Sequence, residues 1–339
     1  MSAQSTAVLL VNTGSPRDAH PISIKNYLRE FLSDKRIVDL PSWKWKPILH
    51  GIILRTRPQK TSLRYKKLEL EGKEDLISIS NRQAQLLEAS LQADGDITNK
   101  PRVYACMRYG EPSLRSRINE LCKEGIDKLI VLPMFAQHAA VTTGTIFQVC
   151  LEELKDKKHI PDLHLISHYC DDESYIEALR QSLSASLAQM KDTELLVLSY
   201  HSTLMQDIEA GDPYQDHCIR SSKALAQALG LTYLEHGDLK ERKQGLIMGY
   251  QSIFDKRPWL RPLSLDLVQE ALSLGYTKVY CAAPGFTTDC LETWWDLDHE
   301  LASQVKDLGY KASFEYLPAL NDHPAFIAHL HSRLKSMLY

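Results

Sequence analysis

Several common signatures are missing from this 339-residue chain. It has no G-x-G-x-x-G, no P-loop and no G-x-S-x-G. A dinucleotide site, a phosphate-cradling nucleotide loop and a hydrolase nucleophile elbow are therefore unsupported. No C-x-x-C pair occurs among the seven scattered cysteines, Cys106, Cys122, Cys150, Cys170, Cys218, Cys281 and Cys290. That argues against a cysteine zinc site and for reduced, mostly buried thiols. No apolar run approaches the ~20 residues a membrane helix needs. Basic tracts are absent and the formal net charge is −3, so nucleic acid is not an expected partner. The opening MSAQSTAVLLVNTG lacks a basic region followed by a long apolar one, so a cytoplasmic chain without a signal peptide is expected.

What is present is a recurring alternation. Short, near-continuous apolar runs read as buried parallel strands: AVLLVNTG (7–14), RVYACMRYG (102–110), KLIVLPMF (128–135) and LHLISHY (163–169). Four more follow, LLVLSYHS (195–202), GLIMGYQS (245–252), KVYCAAPGF (278–286) and ASFEYLP (312–318). Amphipathic stretches such as 111–125 and 263–275 read as crossover helices. The pattern predicts an α/β chain of two similar doubly wound domains, 1–168 and 169–339, each with a four-stranded mainly parallel sheet flanked by helices. A ligand cleft between them is expected, with 323–339 as a last helix packing back on the first domain.

Residues 43–65, WKWKPILHGIILRTRPQKTSLRY, break the alternation. Two tryptophans interleave with lysines, then come an apolar patch and Arg55, Arg57, Lys60 and Arg64. The plain reading is an amphipathic helix with a solvated basic face. The sharper one is a hydrophobic lip with cations for anionic substituents or membrane headgroups.

Two segments carry the chemistry. His201 would sit at the carboxyl end of its strand, where ligands bind in open α/β sheets, under a loop containing GDPY (211–214). A lone histidine at a strand end is more often structural than catalytic. Its counterpart is the ladder Glu292, Asp296 and Glu300, at i, i+4 and i+8 after an apolar run ending in PGF. On an α-helix these carboxylates stack along one side at a small repulsive cost. They read either as a solvated acidic face or as a path for a divalent cation or protons; imidazole with carboxylate oxygens suits iron(II), among other ions. MRYGEP (107–112) places Arg108 and Tyr109 at a strand end, and HAAVTTGTIF (138–147) is a small-residue loop opening a helix.

Taken in order, these pieces resemble the ferrochelatase family, the enzymes that insert iron(II) into a porphyrin. The resemblance runs through LLVNTGSP (9–16), FLSDKRIVDLP (31–41), RPQKTSLRY (57–65), MRYGEP, TTGTIF (142–147), the His201 segment with GDPY, YQSIFDKRPWLRP (250–262) and PGFTTDCLETWWDLDHE (284–300). It implies the two-domain fold expected above. It also implies that His201 is the active-site histidine, that Glu292 faces it across the macrocycle, and that Asp296 and Glu300 continue an acidic metal path. Thr13, Arg57, Lys60, Tyr65, Arg108, Tyr109 and Trp259 resemble porphyrin-binding positions. Implied partners are a dicarboxylate porphyrin, protoporphyrin IX first, and ferrous iron, with peripheral contact to the inner face of a membrane through residues 43–54. No cofactor beyond the substrate iron is implied. No cysteine follows Cys290, so the iron–sulfur cluster of some relatives is not expected.

The chain also departs from the family pattern. His201-Ser202-Thr203-Leu204 stands for H-G-x-P, EGKEDLISIS (71–80) for a G-G-S-P-L turn, and Phe135-Ala136-Gln137 for Y-P-Q. The first two put loop shape, porphyrin preference and rate in doubt. They keep open a porphyrin- or haem-binding relative without turnover, and a chelatase for another metal and tetrapyrrole.

Overall fold

The computed structural model describes residues 5–338. The chain divides into two compact units. One contains the chain through Met134, Ala140–Ser167 and the residues from His331 on; the other contains Phe135–Ala139 and His168–Leu330. The division is not a single cut at 168/169. A short segment after the third strand joins the second unit, and the chain end joins the first.

The first unit is built on β1 (Thr6–Asn12), β2 (Arg102–Met107), β3 (Lys128–Pro133) and β4 (Asp162–Leu165), in the order β2-β1-β3-β4, all parallel. Every residue of β1 and β3 is buried, as expected for strands covered on both faces. Helix α1 (Pro21–Phe31) starts at a proline, with the His20 ring accepting from the Ile22 N–H. Helix α2 (Ser42–Ile48) runs through a π-helical turn (Leu49–Ile53) into α3 (Leu54–Leu70). Asp75 caps α4 (Leu76–Ala93) and Ser113 caps α5 (Leu114–Lys123) through side-chain oxygens. A second π-helical turn (Ala140–Gly144) leads into α6 (Thr145–Leu154).

The second unit holds β5 (Glu194–His201), β6 (Thr232–Tyr233), β7 (Gly245–Gln251), β8 (Lys278–Ala282) and β9 (Ser313–Leu317), in the parallel order β6-β7-β5-β8-β9. Its sheet has five strands, not four. The extra one, β6, spans two residues, too short to leave a period in the sequence. The helices are α7 (Glu173–Leu187), α8 (Met205–Glu209), α9 (Tyr214–Leu229), α10 (Ser264–Ser273) and α11 (Ala302–Asp307). Gly249 lets α10 approach β7, since a Cβ there would lie 2.8 Å from the Leu267 side chain and 3.1 Å from Ser264 backbone. Helix α12 (Pro324–Lys335) begins in this unit and ends in the first. There His331 and Lys335 meet Asp94 at 2.9 and 2.7 Å, and Lys128 donates to the Met337 carbonyl at 3.0 Å.

Setting β6 aside, the two sheets repeat one order. The backbone repeats in finer detail too. After the second strand of each sheet the chain doubles back to the strand end, Met107 N–H to Pro112 O (2.7 Å) and Tyr250 N–H to Pro262 O (2.8 Å). After the third strand of each sheet comes a π-helix, Ala140–Gly144 or Glu292–Leu301.

Candidate active site

In this strand order the chain leaves the central strand to one side and later returns to the other. The switch points are β1/β3 and β5/β8, where open α/β sheets bind ligands beyond the strand ends. His201 is the last residue of β5, in register with Gln251 at the end of β7. Glu292 opens the π-helix that follows β8. The histidine and the first acid thus come from the two strands flanking one switch point.

His201 is held by its backbone and by a polar layer beneath it. Nδ1 lies 2.8 Å from the Ser202 carbonyl, which can only accept, so Nδ1 carries the proton and Nε2 keeps its lone pair. Burial lowers the His201 pKa; the Ser202 carbonyl and the Glu292 charge pull it partly back. On the same face of the strand, Ser264 Oγ donates to Ser199 Oγ (2.8 Å) and Ser199 Oγ to Gln251 Oε1 (2.7 Å). The Ser202 N–H donates to the Gln251 carbonyl at 2.8 Å. The imidazole therefore stands at rest as a neutral, oriented base.

The acid ladder lies on a ten-residue π-helix, not on the expected α-helix. Such helices are rare and mostly single-turn. A spacing of four fits either helix, so the sequence period did not separate them. The acids form a row along the axis rather than a cage: among the described residues no group of three or more His, Cys, Asp or Glu side chains converges to hold a metal. Asp296 accepts from Ser252 Oγ at 3.5 Å. Trp294 packs into the core beside Tyr316, and Trp295 stacks on His299 at 4.6 Å.

Asp289, which was not singled out in the sequence, anchors the start of this helix. It is fully buried and accepts from Thr293 Oγ1 (2.8 Å), Tyr316 OH (2.8 Å), Asn321 Nδ2 (2.7 Å) and the Ala319 N–H (3.2 Å). Burial raises its pKa, against these four bonds. Burial, then the charge of Glu292, raises the neighbouring Cys290 thiol well above its ordinary value, so it stays protonated. No local pattern marks Asp289; its partners arrive from residues 316–321.

Trp259 is bridged to Leu204 next to the His201 strand end, and its ring meets Phe254, which in turn meets His201. The remaining candidates belong to the first unit. Thr13 follows β1, and its carbonyl accepts from the Tyr109 N–H at 2.9 Å. Gly14 makes this approach possible, since at φ +111° a Cβ would sit 1.9 Å from the Tyr109 oxygen. Tyr65 OH lies 3.2 Å from Ser15 Oγ. Arg57 and Lys60 are exposed on α3. Arg108 and Tyr109 are already engaged internally. The guanidinium pairs with Asp34 and bonds Thr145, and the buried Tyr109 hydroxyl donates to Asp34 at 2.9 Å. Burial works against ionisation of Asp34, but the Arg36 N–H, the two hydroxyls and Arg108 together hold its pKa below the usual value.

The solved structures that resemble the chain define its class. SirB from Bacillus subtilis with Fe3+ aligns at a TM-score of 0.55 and 11% identity, covering 99% of this chain and 96% of that one. The sirohydrochlorin chelatase SirB of Bacillus subtilis subspecies spizizenii in complex with cobalt aligns at 0.52 and 9%, with the same coverage. The fold is thus the two-unit parallel α/β fold of chelatases. The family model described as Ferrochelatase matches residues 5–338. A ferrochelatase of Photobacterium profundum is 37% identical, covering 96% of each chain. A protein named ferrochelatase 2 in Shewanella oneidensis is 38% identical over 98% of this chain and 97% of its own. A coproporphyrin III ferrochelatase of Symbiobacterium thermophilum is 36% identical over 96% of each. This chain belongs to the ferrochelatase family, lyases that chelate metal into porphyrin.

Proposed function

We propose that the chain inserts Fe(II) into a dicarboxylate porphyrin, with protoporphyrin IX as the first substrate. Each turnover releases the two pyrrole protons. The carrying observation is the neutral His201, its free Nε2 lone pair beside Glu292 at one switch point. Nε2 takes a pyrrole proton as general base and Glu292 takes or relays the second. Asp296 and Glu300 then form the row along which iron arrives or protons leave. Arg57 and Lys60, exposed cations on α3, are the proposed partners of the propionates, and Trp259 flanks the His201 strand end. Arg108 and Tyr109, committed to Asp34, serve as wall and support rather than as direct carboxylate ligands.

A second substrate is favoured by one specific observation: a relative at 36% identity is named for coproporphyrin III, which carries four carboxylates. Among the described residues no helix is long and apolar enough to cross a membrane. Trp43, Ile48 and Ile52 are exposed at 74%, 41% and 60%, which suits peripheral contact through 43–54.

The test is anaerobic mixing of the chain with Fe(II) and either porphyrin, following loss of porphyrin fluorescence. Rapid loss with protoporphyrin IX, reduced about a thousandfold in His201→Ala with the fold intact, is expected. Turnover unchanged by that substitution would sink the assigned role, and turnover confined to coproporphyrin III would replace the substrate.

A further inference from the structure

The loop after β7 holds an aromatic ring where core packing would not put one. Phe254 is 61% exposed, more than the other exposed large apolar side chains of its unit, Leu308 and Tyr310. A single exposed apolar residue needs no explanation, but this one is part of a built arrangement. Its ring centroid lies 5.6 Å from His201 and 5.7 Å from Trp259, the latter edge-to-face at 75°. Trp259 is fixed in turn, its indole N–H donating to Asp255 Oδ1 at 3.1 Å. Asp255 also takes Arg257 Nε at 2.9 Å and its terminal nitrogen at 2.7 Å. The backbone confines the loop at both ends. Ser252, at φ +67°, turns the chain outward, and Met205 N–H to Pro258 O and Leu260 N–H to Thr203 O (both 3.0 Å) bring it back beside His201.

A flat macrocycle whose pyrrole nitrogens reach His201 Nε2 must extend past the imidazole on every side. A ring 5.6 Å away then lies under or against its body. An aromatic edge-to-face or offset contact gains energy beyond area burial. The neighbouring indole and the carboxylate behind it keep that ring from folding down onto the strand end.

We propose that Phe254 is a specificity-determining contact for the porphyrin ring, and that Asp255 is a positioning residue acting through Trp259. This rests on the chelatase reading above and extends it to two residues outside the catalytic pair.

The full-length chain is titrated with protoporphyrin IX, reading porphyrin fluorescence anisotropy for Kd, and separately assayed for Fe(II) insertion. In Phe254→Ala, Kd and KM for porphyrin rise about tenfold, while KM for Fe(II) stays within about twofold. Phe254→Trp restores porphyrin affinity, which separates a stacking role from general damage. Asp255→Ala reproduces part of the loss, and Asp255→Asn, whose amide oxygen still accepts the indole N–H, does not. Unchanged porphyrin Kd in Phe254→Ala, or an equal rise in KM for iron, overturns the assignment of Phe254. Equal defects in the two Asp255 variants overturn the positioning role. A wild-type chain that binds no porphyrin overturns the chelatase reading and this one with it. Wild-type binding and turnover beside an unaffected Phe254→Ala overturns only this one.

Discussion

The two units use one backbone plan and fill it differently. In both, a buried central strand ends at a switch point and the third strand leads into a π-helix. In the first unit the central strand ends in Asn12 and is followed by Thr13-Gly14-Ser15, and the π-helix is Ala-Val-Thr-Thr-Gly. In the second, the strand ends in His201 and the π-helix carries Glu292, Asp296 and Glu300. Each unit also holds an aspartate near this end, Asp34 half-buried and Asp289 fully buried, with opposite electrostatics. Asp34 has a cation and sits below its ordinary pKa; Asp289 has neutral donors only and is raised by burial. The lesson is that one scaffold supplies strand ends and helix starts twice, while the side chains placed on them differ between the copies.

After His201→Ala, the largest effect on this difference is expected from neutralising Glu292, the first acid of the second unit's π-helix. Glu292→Gln should cut metal insertion about a hundredfold with little change in unfolding midpoint. Activity within threefold of wild type would remove Glu292 from the chemistry.

The aspartates offer a smaller effect and a sign test. Arg108→Leu leaves a half-buried carboxylate without its cation, so urea unfolding should show a loss of about 2 kcal/mol. Because Asp34 is depressed, its contribution is complete above the ordinary 3.8 and disappears as pH falls through its lower folded value. Asp289 is raised, so its burial costs stability above its folded pKa, and that cost is relieved as pH falls toward 3.8. Asp289→Asn should therefore flatten one part of the midpoint-versus-pH curve and Arg108→Leu another. Identical curves for both would end the contrast.

The least effect is expected at the rim of the first unit. Trp45 donates its indole N–H to the Leu32 carbonyl at 2.6 Å and packs on the core of α1, whereas Trp43 is 74% exposed. Trp43→Ser should weaken liposome binding severalfold and leave stability within about 0.5 kcal/mol. Trp45→Ser should lower stability instead. Equal liposome binding by wild type and Trp43→Ser would leave Trp43 without a membrane role.

Much of the strand plan could be read directly. Runs such as AVLLVN and LLVLSYH are apolar along their length because parallel strands are covered on both faces. His201 and Glu292 stood out because each follows such a run. Other features were not legible, each for a physical reason. The two-residue β6 has no period. The π-helix shares its spacing of four with an α-helix. That Asp34 engages Arg108 and Tyr109 could not be read, because it lies far away in sequence. Asp289 carries no local signal, because its partners Tyr316 and Asn321 come from about thirty residues further along the chain.

The sequence by itself determined the α/β class and all but the shortest strand, because hydrophobic burial imprints a local pattern on the chain. Only the tertiary structure decided which ends meet. Placing β5 beside β8 puts His201 near Glu292, and the turn at Ser252 sets Phe254 against the imidazole. Those proximities depend on strand order and on contacts between residues distant in sequence, which no local period encodes.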